Sequence, residues 1–229
     1  MGYVITIDGP AASGKSSVSR ELARRLGCFW VSTGAYYRGL AFIAQRTQVD
    51  LHSPQRLADL AASDTWRVGI DAEKTKVFFE NEDVTEALSE EQVGNAASLI
   101  SHYPEVRQAL LVEQRKCGLI EPGLVAEGRD CGTVIFPQAD AKIYLTASSE
   151  HRAARRAQEL GISEDILQEQ QKQRDHQDSS RKVAPLQVPD SALVIDTTYM
   201  SLDEVVDSIE KHIVRKLANK LSTPSPDKA

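Results

Sequence analysis

The chain has 229 residues, 41% of them hydrophobic and 26% charged, with a net charge of −6. Those values suit one α/β domain with insertions, and the acidic balance argues against a general grip on nucleic-acid backbone. Cys28, Cys117 and Cys131 are odd in number and lack C-x-x-C spacing, which argues against disulfides or zinc and for small buried side chains.

No apolar run approaches membrane-spanning length, and the N-terminus reads as a core strand and not a signal peptide. A soluble cytoplasmic protein without membrane or nucleic-acid partners is therefore expected. In chain order, residues 3–7 (YVITI) form a buried strand by their β-branched and aromatic content. Directly after them, Gly9-Pro10-Ala11-Ala12-Ser13-Gly14-Lys15-Ser16-Ser17 carries the spacing G-x-x-x-x-G-K-[ST]. Glycines there accept positive φ, and inward-turned N–H groups cradle phosphate oxygens. The helix that follows adds its unpaired N–H groups and positive dipole end, and Val18, Leu22 and Leu26 mark its apolar stripe. The motif assigns Lys15 to the β and γ phosphates of a nucleoside triphosphate and the Ser16 hydroxyl to Mg²⁺.

CFWV at 28–31 reads as a second strand, followed by STGAYYR. Ser53-Pro54 reads as a cap with proline at the first helical position. Residues 65–86 alternate as short strands joined by a polar turn, a small antiparallel insert. Ser89 with Gln92 reads as a capping box for a helix over 90–101, and Tyr103-Pro104 opens another through about 116. GLVAEG at 123–128, AKIYLTA at 141–147 and ALVIDT at 192–197 are further buried strands. Residues 149–182 form a charged helical pair broken at Gly161-Ile162-Ser163, an insertion of the kind that serves as a lid. Ser201 with Glu204 caps a last helix striped by Val205, Ile209, Ile213 and Leu217, and the tail 222–229 is expected to be disordered. Five such strands alternating with helices predict a three-layer αβα fold with a parallel sheet. Its ligands sit at the carboxyl ends of the strands, so the glycine loop, STGAYYR and EGRD should converge on one cleft.

The loop alone serves GTPases, motor and transport ATPases and small-molecule kinases. No Asp is followed by Gly three residues later, Asn219-Lys220 lacks the Asp of a guanine reader, and no apolar strand ends in an acidic pair. Arginine is abundant instead: Arg38 and Arg129 follow strands, and Arg152, Arg155, Arg156, Arg174 and Arg181 crowd the second insertion. Phosphoryl transfer needs an acceptor in line, cations around the transferring group and exclusion of water, which arginine forks and a lid supply. Arg174, Asp178 and Arg181 share one helix face at i, i+4 and i+7. That spacing serves a solvated ion pair, worth roughly 0.3–0.5 kcal/mol, and a ligand-facing role equally well.

The ordered set TIDGPAASGKSS, STGAYYR, NAAS, EGRDCGTVIFP, KIYLTASSEHRAARR and QRDHQDSSRKVAPL resembles the bacterial cytidylate kinases, a nucleoside monophosphate kinase family, over about residues 3 to 217. The resemblance implies a transfer of the ATP γ-phosphate to CMP or dCMP with Mg²⁺; a monomer is expected. It divides the chain into a core (1–31, 117–148 and 183–221), a monophosphate-binding insert at about 32–116 and a lid at about 149–182. By motif position Arg38, Arg129 and Arg181 resemble the arginines that hold the acceptor phosphate. Ser98, Arg107 and Asp130 resemble the cytosine readers, and Arg174 and Asp178 the sugar contacts. Thr33 and Tyr37 line the same pocket, and Arg152, Arg155 and Arg156 resemble the lid arginines that close on ATP.

The chemistry of the base agrees. A carboxylate accepts from the cytosine amino group, whereas arginine and serine donate to N3 and O2. Uracil places an oxygen where Asp130 needs a donor, the kind of mismatch that discriminates strongly. The competing reading of Asp130 is an ion pair with its neighbour Arg129. The chain departs from the family pattern at Ser32-Thr33, where many relatives carry Asp-Ser or Asp-Thr, and at Glu127, where the family carries Asp. Its lid helix pair is also shorter than in some relatives.

Overall fold

The β-branched run at the N-terminus forms strand β1, Tyr3–Asp8, and the glycine loop leads from it into helix α1, Lys15–Leu26. This computed structural model describes residues 2–71, 73–160, 184 and 186–221. The sheet continues with β2 (Phe29–Ser32), β6 (Gly123–Gly128), β7 (Ala141–Thr146) and β8 (Leu193–Asp196). Its order is β2-β6-β1-β7-β8, and every pairing is parallel. All five strands fall where the apolar runs predict them.

Both faces of the sheet are covered, which is why its strands read as continuous apolar runs. Side chains alternate across it: Leu124 and Ala126 join the core beneath α2 (Gly34–Arg46) and α5 (Pro104–Lys116). Val125 joins Ile5, Ile7, Leu22, Ile143 and Ile209 under α1 and the terminal helix α7 (Leu202–Leu221). The predicted stripe Val205, Ile209, Ile213 and Leu217 is buried there. Ser201 and Glu204 form the predicted reciprocal cap: the Ser201 N–H donates to Glu204 Oε2 at 2.8 Å, and the Glu204 N–H to Ser201 Oγ at 3.3 Å.

Two other helix starts differ from expectation. Ser53 precedes α3 (Pro54–Ala61), with the proline at its first position, but its side chain makes no capping bond. Helix α4 (Glu91–Ile100) begins after Glu90, and Ser89 is no capping-box residue, because its hydroxyl donates to the Glu86 carbonyl at 2.8 Å. The preceding turn, residues 86–89, captures that hydroxyl locally.

The insert over 65–86 is a three-stranded antiparallel sheet of β3 (Trp66–Ile70), β4 (Thr75–Phe79) and β5 (Glu82–Asp83). It packs against α2 at Gly39, where a β-carbon would lie 3.0 Å from Val77 Cγ1. Helix α6, Ser149–Leu160, opens the second insertion, and residues 161–183 and the tail 222–229 lie outside the described residues. Among the described residues no helix is long and apolar enough to cross a membrane. Strand β1 lies between β6 and β7, and the crossover out of β1 to β2 runs to the opposite side of the sheet from the crossover out of β6 to β7. Such a switch point opens a crevice for a ligand.

Candidate active site

At that crevice the backbone leaves β1 through Gly9, where a β-carbon would stand 2.1 Å from the Leu145 carbonyl oxygen. Only glycine allows so close an approach. Ala12 (φ 58°) and Gly14 (φ 86°) take left-handed backbone and curl the loop over the start of α1. The Lys15 ammonium donates to the Pro10 carbonyl at 2.5 Å, so the cation already lies across the loop. Ser16 Oγ donates to the Glu127 carboxylate, 2.8 Å from Oε1 and 3.0 Å from Oε2. The acid at the end of β6 thus reaches the hydroxyl that the motif assigns to a cation.

Helix α6 turns its arginines toward this loop. Arg152, buried, donates to the Ala147 carbonyl at 3.1 Å and to the Ala11 carbonyl at 3.2 Å. Arg155 donates to the Thr197 carbonyl at 2.6 Å and to its hydroxyl at 3.2 Å, while Thr197 Oγ1 donates to Ser13 O at 3.2 Å. Arg156 lies on the same helix. A cavity beside the loop is lined by Ala12, Ser13, Gly14, Ser17, Arg155, Thr197 and Met200. No motif in the sequence marks Thr197 or Met200 as site residues. The signal was there, since Thr197 follows a strand at the same edge of the sheet as EGRD.

A second cleft is lined by Thr33, Tyr37, Arg38, Ser98, Arg107, Arg129 and Asp130, every acceptor-site residue expected from the sequence within the described residues. Strand β6 joins the two clefts, with Glu127 bonded to Ser16 and Arg129-Asp130 facing the second. Asp130 is ion-paired with Arg107, not with its neighbour Arg129, through Oδ2 and Arg107 Nη2. Both are buried, at 6% and 8% exposure, and Arg107 also donates to the Ser101 carbonyl at 3.3 Å and sits 5.7 Å over the Tyr37 ring. Thr33 shapes the wall more than it offers a donor, because its hydroxyl donates to the Glu127 carbonyl at 2.9 Å.

Arg38 donates to the Leu88 carbonyl at 2.6 Å and lies flat against Gly94 of α4, where a β-carbon would be 2.9 Å from Nη2. No motif marks Gly94, although a glycine inside a helix costs about 0.8–1 kcal/mol and so asks for a reason. Arg174, Asp178 and Arg181 lie outside the described residues.

Beneath the two clefts sits Asp8, wholly buried, accepting the Cys131 N–H at 2.8 Å and the Gly132 N–H at 2.7 Å. Desolvation raises its pKa to about 6, and the two amide bonds oppose that rise. All three cysteines are free and buried, as expected. Burial, reinforced by the negative charges of Asp8 and Asp130, pushes the Cys131 thiol upward and keeps it inert.

The family model for cytidylate kinase matches residues 5–215. A cytidylate kinase of Bdellovibrio bacteriovorus is 61% identical over 217 residues, covering 95% of this chain and all (100%) of that protein. A cytidylate kinase of Aeromonas hydrophila is 43% identical over 224 residues, covering 96% and 97% of the two chains. A crystal structure of an uncharacterized protein from Eubacterium ventriosum shares the fold at 14% identity and a TM-score of 0.53, covering 92% of this chain and 98% of its own. On these matches the chain belongs to the cytidylate kinase family.

Proposed function

We propose that this protein transfers the γ-phosphate of ATP to CMP or dCMP, giving ADP and CDP or dCDP. The observation that carries this reading is the buried Arg107–Asp130 pair set in a cleft with Arg38 and Arg129, one strand end away from the phosphate loop. Asp130 Oδ1 accepts no hydrogen bond among the described residues, so the carboxylate offers cytosine N4 an acceptor while Oδ2 is held by Arg107. Ser98, on the same cleft, offers a hydroxyl to the base edge. Arg38 and Arg129 suit the acceptor phosphate, and Arg174, Asp178 and Arg181 complete the acceptor's contacts in this proposal.

On the donor side, the loop from Gly9 to Ser17 takes the ATP phosphates, Lys15 the β and γ oxygens, and Arg152, Arg155 and Arg156 the closing charges. Ser16 and Glu127 fit Mg²⁺: a hydroxyl that gives its proton to a carboxylate keeps its lone pairs for a hard cation. When bound, the cation supplies charge neutralisation at the transferring group. The division into core, insert and lid and the cytoplasmic location belong to the same proposal, as does a monomeric state, which one chain's supply of both clefts supports. A coupled assay with ATP over CMP, dCMP, UMP, AMP and GMP tests it. CMP or dCMP should give the highest kcat/KM, and turnover confined to another acceptor would overturn it.

A further inference from the structure

Asp8 is the last residue of β1, yet its carboxylate serves another segment 123 and 124 positions away. Each oxygen takes one amide: Oδ1 the Cys131 N–H, Oδ2 the Gly132 N–H. These are the first two amides of the turn Cys131–Ile135, which follows directly on Arg129 and Asp130. The turn's other end closes on Asp130, whose carbonyl accepts the Val134 N–H at 2.9 Å and the Ile135 N–H at 3.2 Å. The segment after Asp130 is therefore held at its start by the Asp8 carboxylate and at its end by the Asp130 carbonyl.

The packing around the turn is tight. A β-carbon on Gly132 would meet Thr6 Oγ1 at 2.8 Å and Pro189 Cγ at 2.9 Å, and one on Gly128 would meet Thr33 Oγ1 at 2.4 Å. A carboxylate is a costly group to bury merely to satisfy two amides, and pairs of charge-assisted bonds are strong and directional. Cys131 and Gly132 donate along two directions to one rigid carboxylate, which fixes both distance and rotation of the segment.

We infer that Asp8 is a positioning residue for the acceptor: by clamping the Cys131 and Gly132 amides it holds Arg129 and Asp130 in register with the phosphate loop that begins one residue after it. This deepens the proposed kinase reading and rests on it. Asp8 touches neither nucleotide and acts through the turn. Both of its hydrogen bonds run to the acceptor segment, whereas the loop's Lys15 meets it through charge alone, so the expected phenotype falls chiefly on the acceptor.

The test is Asp8→Asn, which keeps the size but offers one acceptor oxygen and sets an amide against the second N–H. KM for CMP should rise about tenfold or more, the scale of one lost charge-assisted bond, while KM for ATP stays within about twofold. In ¹⁵N-labelled wild-type protein the Cys131 and Gly132 amides should be strongly protected from hydrogen exchange, and at least one should shift upfield in the variant. Equal rises in both KM values, a rise confined to ATP, or a lower melting temperature with unchanged KM values would overturn the role. If the variant does not fold, unprotected Cys131 and Gly132 amides in the wild type would overturn it, and protected ones together with CMP-induced shifts at both would sustain it. A wild-type chain that phosphorylates no monophosphate refutes the kinase reading by itself. Wild-type turnover with a non-selective variant refutes only the role of Asp8.

Discussion

Gly94→Ala separates stability from substrate binding. Alanine in place of a helical glycine stabilises α4 by roughly 0.5–1 kcal/mol. The new β-carbon, however, would lie 2.9 Å from Arg38 Nη2, 3.2 Å from Nη1 and 3.3 Å from Cζ, so the guanidinium must move. Part of the Arg38 bond to the Leu88 carbonyl, a charge-assisted contact worth roughly 1.5–3 kcal/mol when fully formed, is lost with it. The two effects oppose, and the net change in unfolding free energy should stay within about 1–2 kcal/mol of zero. Function has no such compensation. If Arg38 holds the acceptor phosphate, losing a contact of that strength raises KM for CMP by about 10- to 150-fold, with little change in KM for ATP. Steady-state kinetics with either substrate varied, beside urea denaturation, measures both sides. The decisive comparison is the Arg38→Ala background, where Gly94→Ala should add almost nothing to KM. An unchanged KM for CMP in the single variant, or the same rise without Arg38, would refute the reasoning.

Lys15→Ala should abolish CDP formation while far-UV circular dichroism stays native, because alanine suits the first position of α1 and the lost charge is the one aimed at phosphate; retained turnover would contradict its role. Asp130→Ala leaves Arg107 buried without its carboxylate and should cost about 3–5 kcal/mol of stability, while Arg107→Met with Asp130→Leu should recover most of that stability but not CMP binding. Recovery of CMP affinity in the double variant would remove the pair from base recognition. The buried Asp8 titrates near 6 instead of 3.8, so the folded chain holds this proton over a pH range where the unfolded chain has released it. The stability of wild type relative to Asp8→Asn should therefore fall as pH rises from about 4 to about 6, by at most roughly 3 kcal/mol, and be flat above about 7. Denaturation at closely spaced pH values reads this difference, and an opposite slope would show that the two amide bonds outweigh desolvation.

What the sequence determines by itself is local. The phosphate loop, the apolar runs of five strands and the Ser201–Glu204 cap depend on residues within a few positions of each other, where φ preference, burial period and short-range hydrogen bonds act. The family resemblance extends this to most of the acceptor residues, which the structure gathers in one cleft. The remaining features are partnerships between distant segments: Arg107 with Asp130, Asp8 with Cys131 and Gly132, Gly94 beneath Arg38, and Thr197 against Ser13. No spacing encodes them. They arise because parallel pairing places β6 beside β1 with Asp8 opposite Gly128, and helix packing then brings Arg107, a residue 23 positions away, to the Asp130 carboxylate. Asp130 shows the division clearly: its residue type and motif are legible in the chain, whereas its partner is chosen by α5, which carries Arg107 across to it.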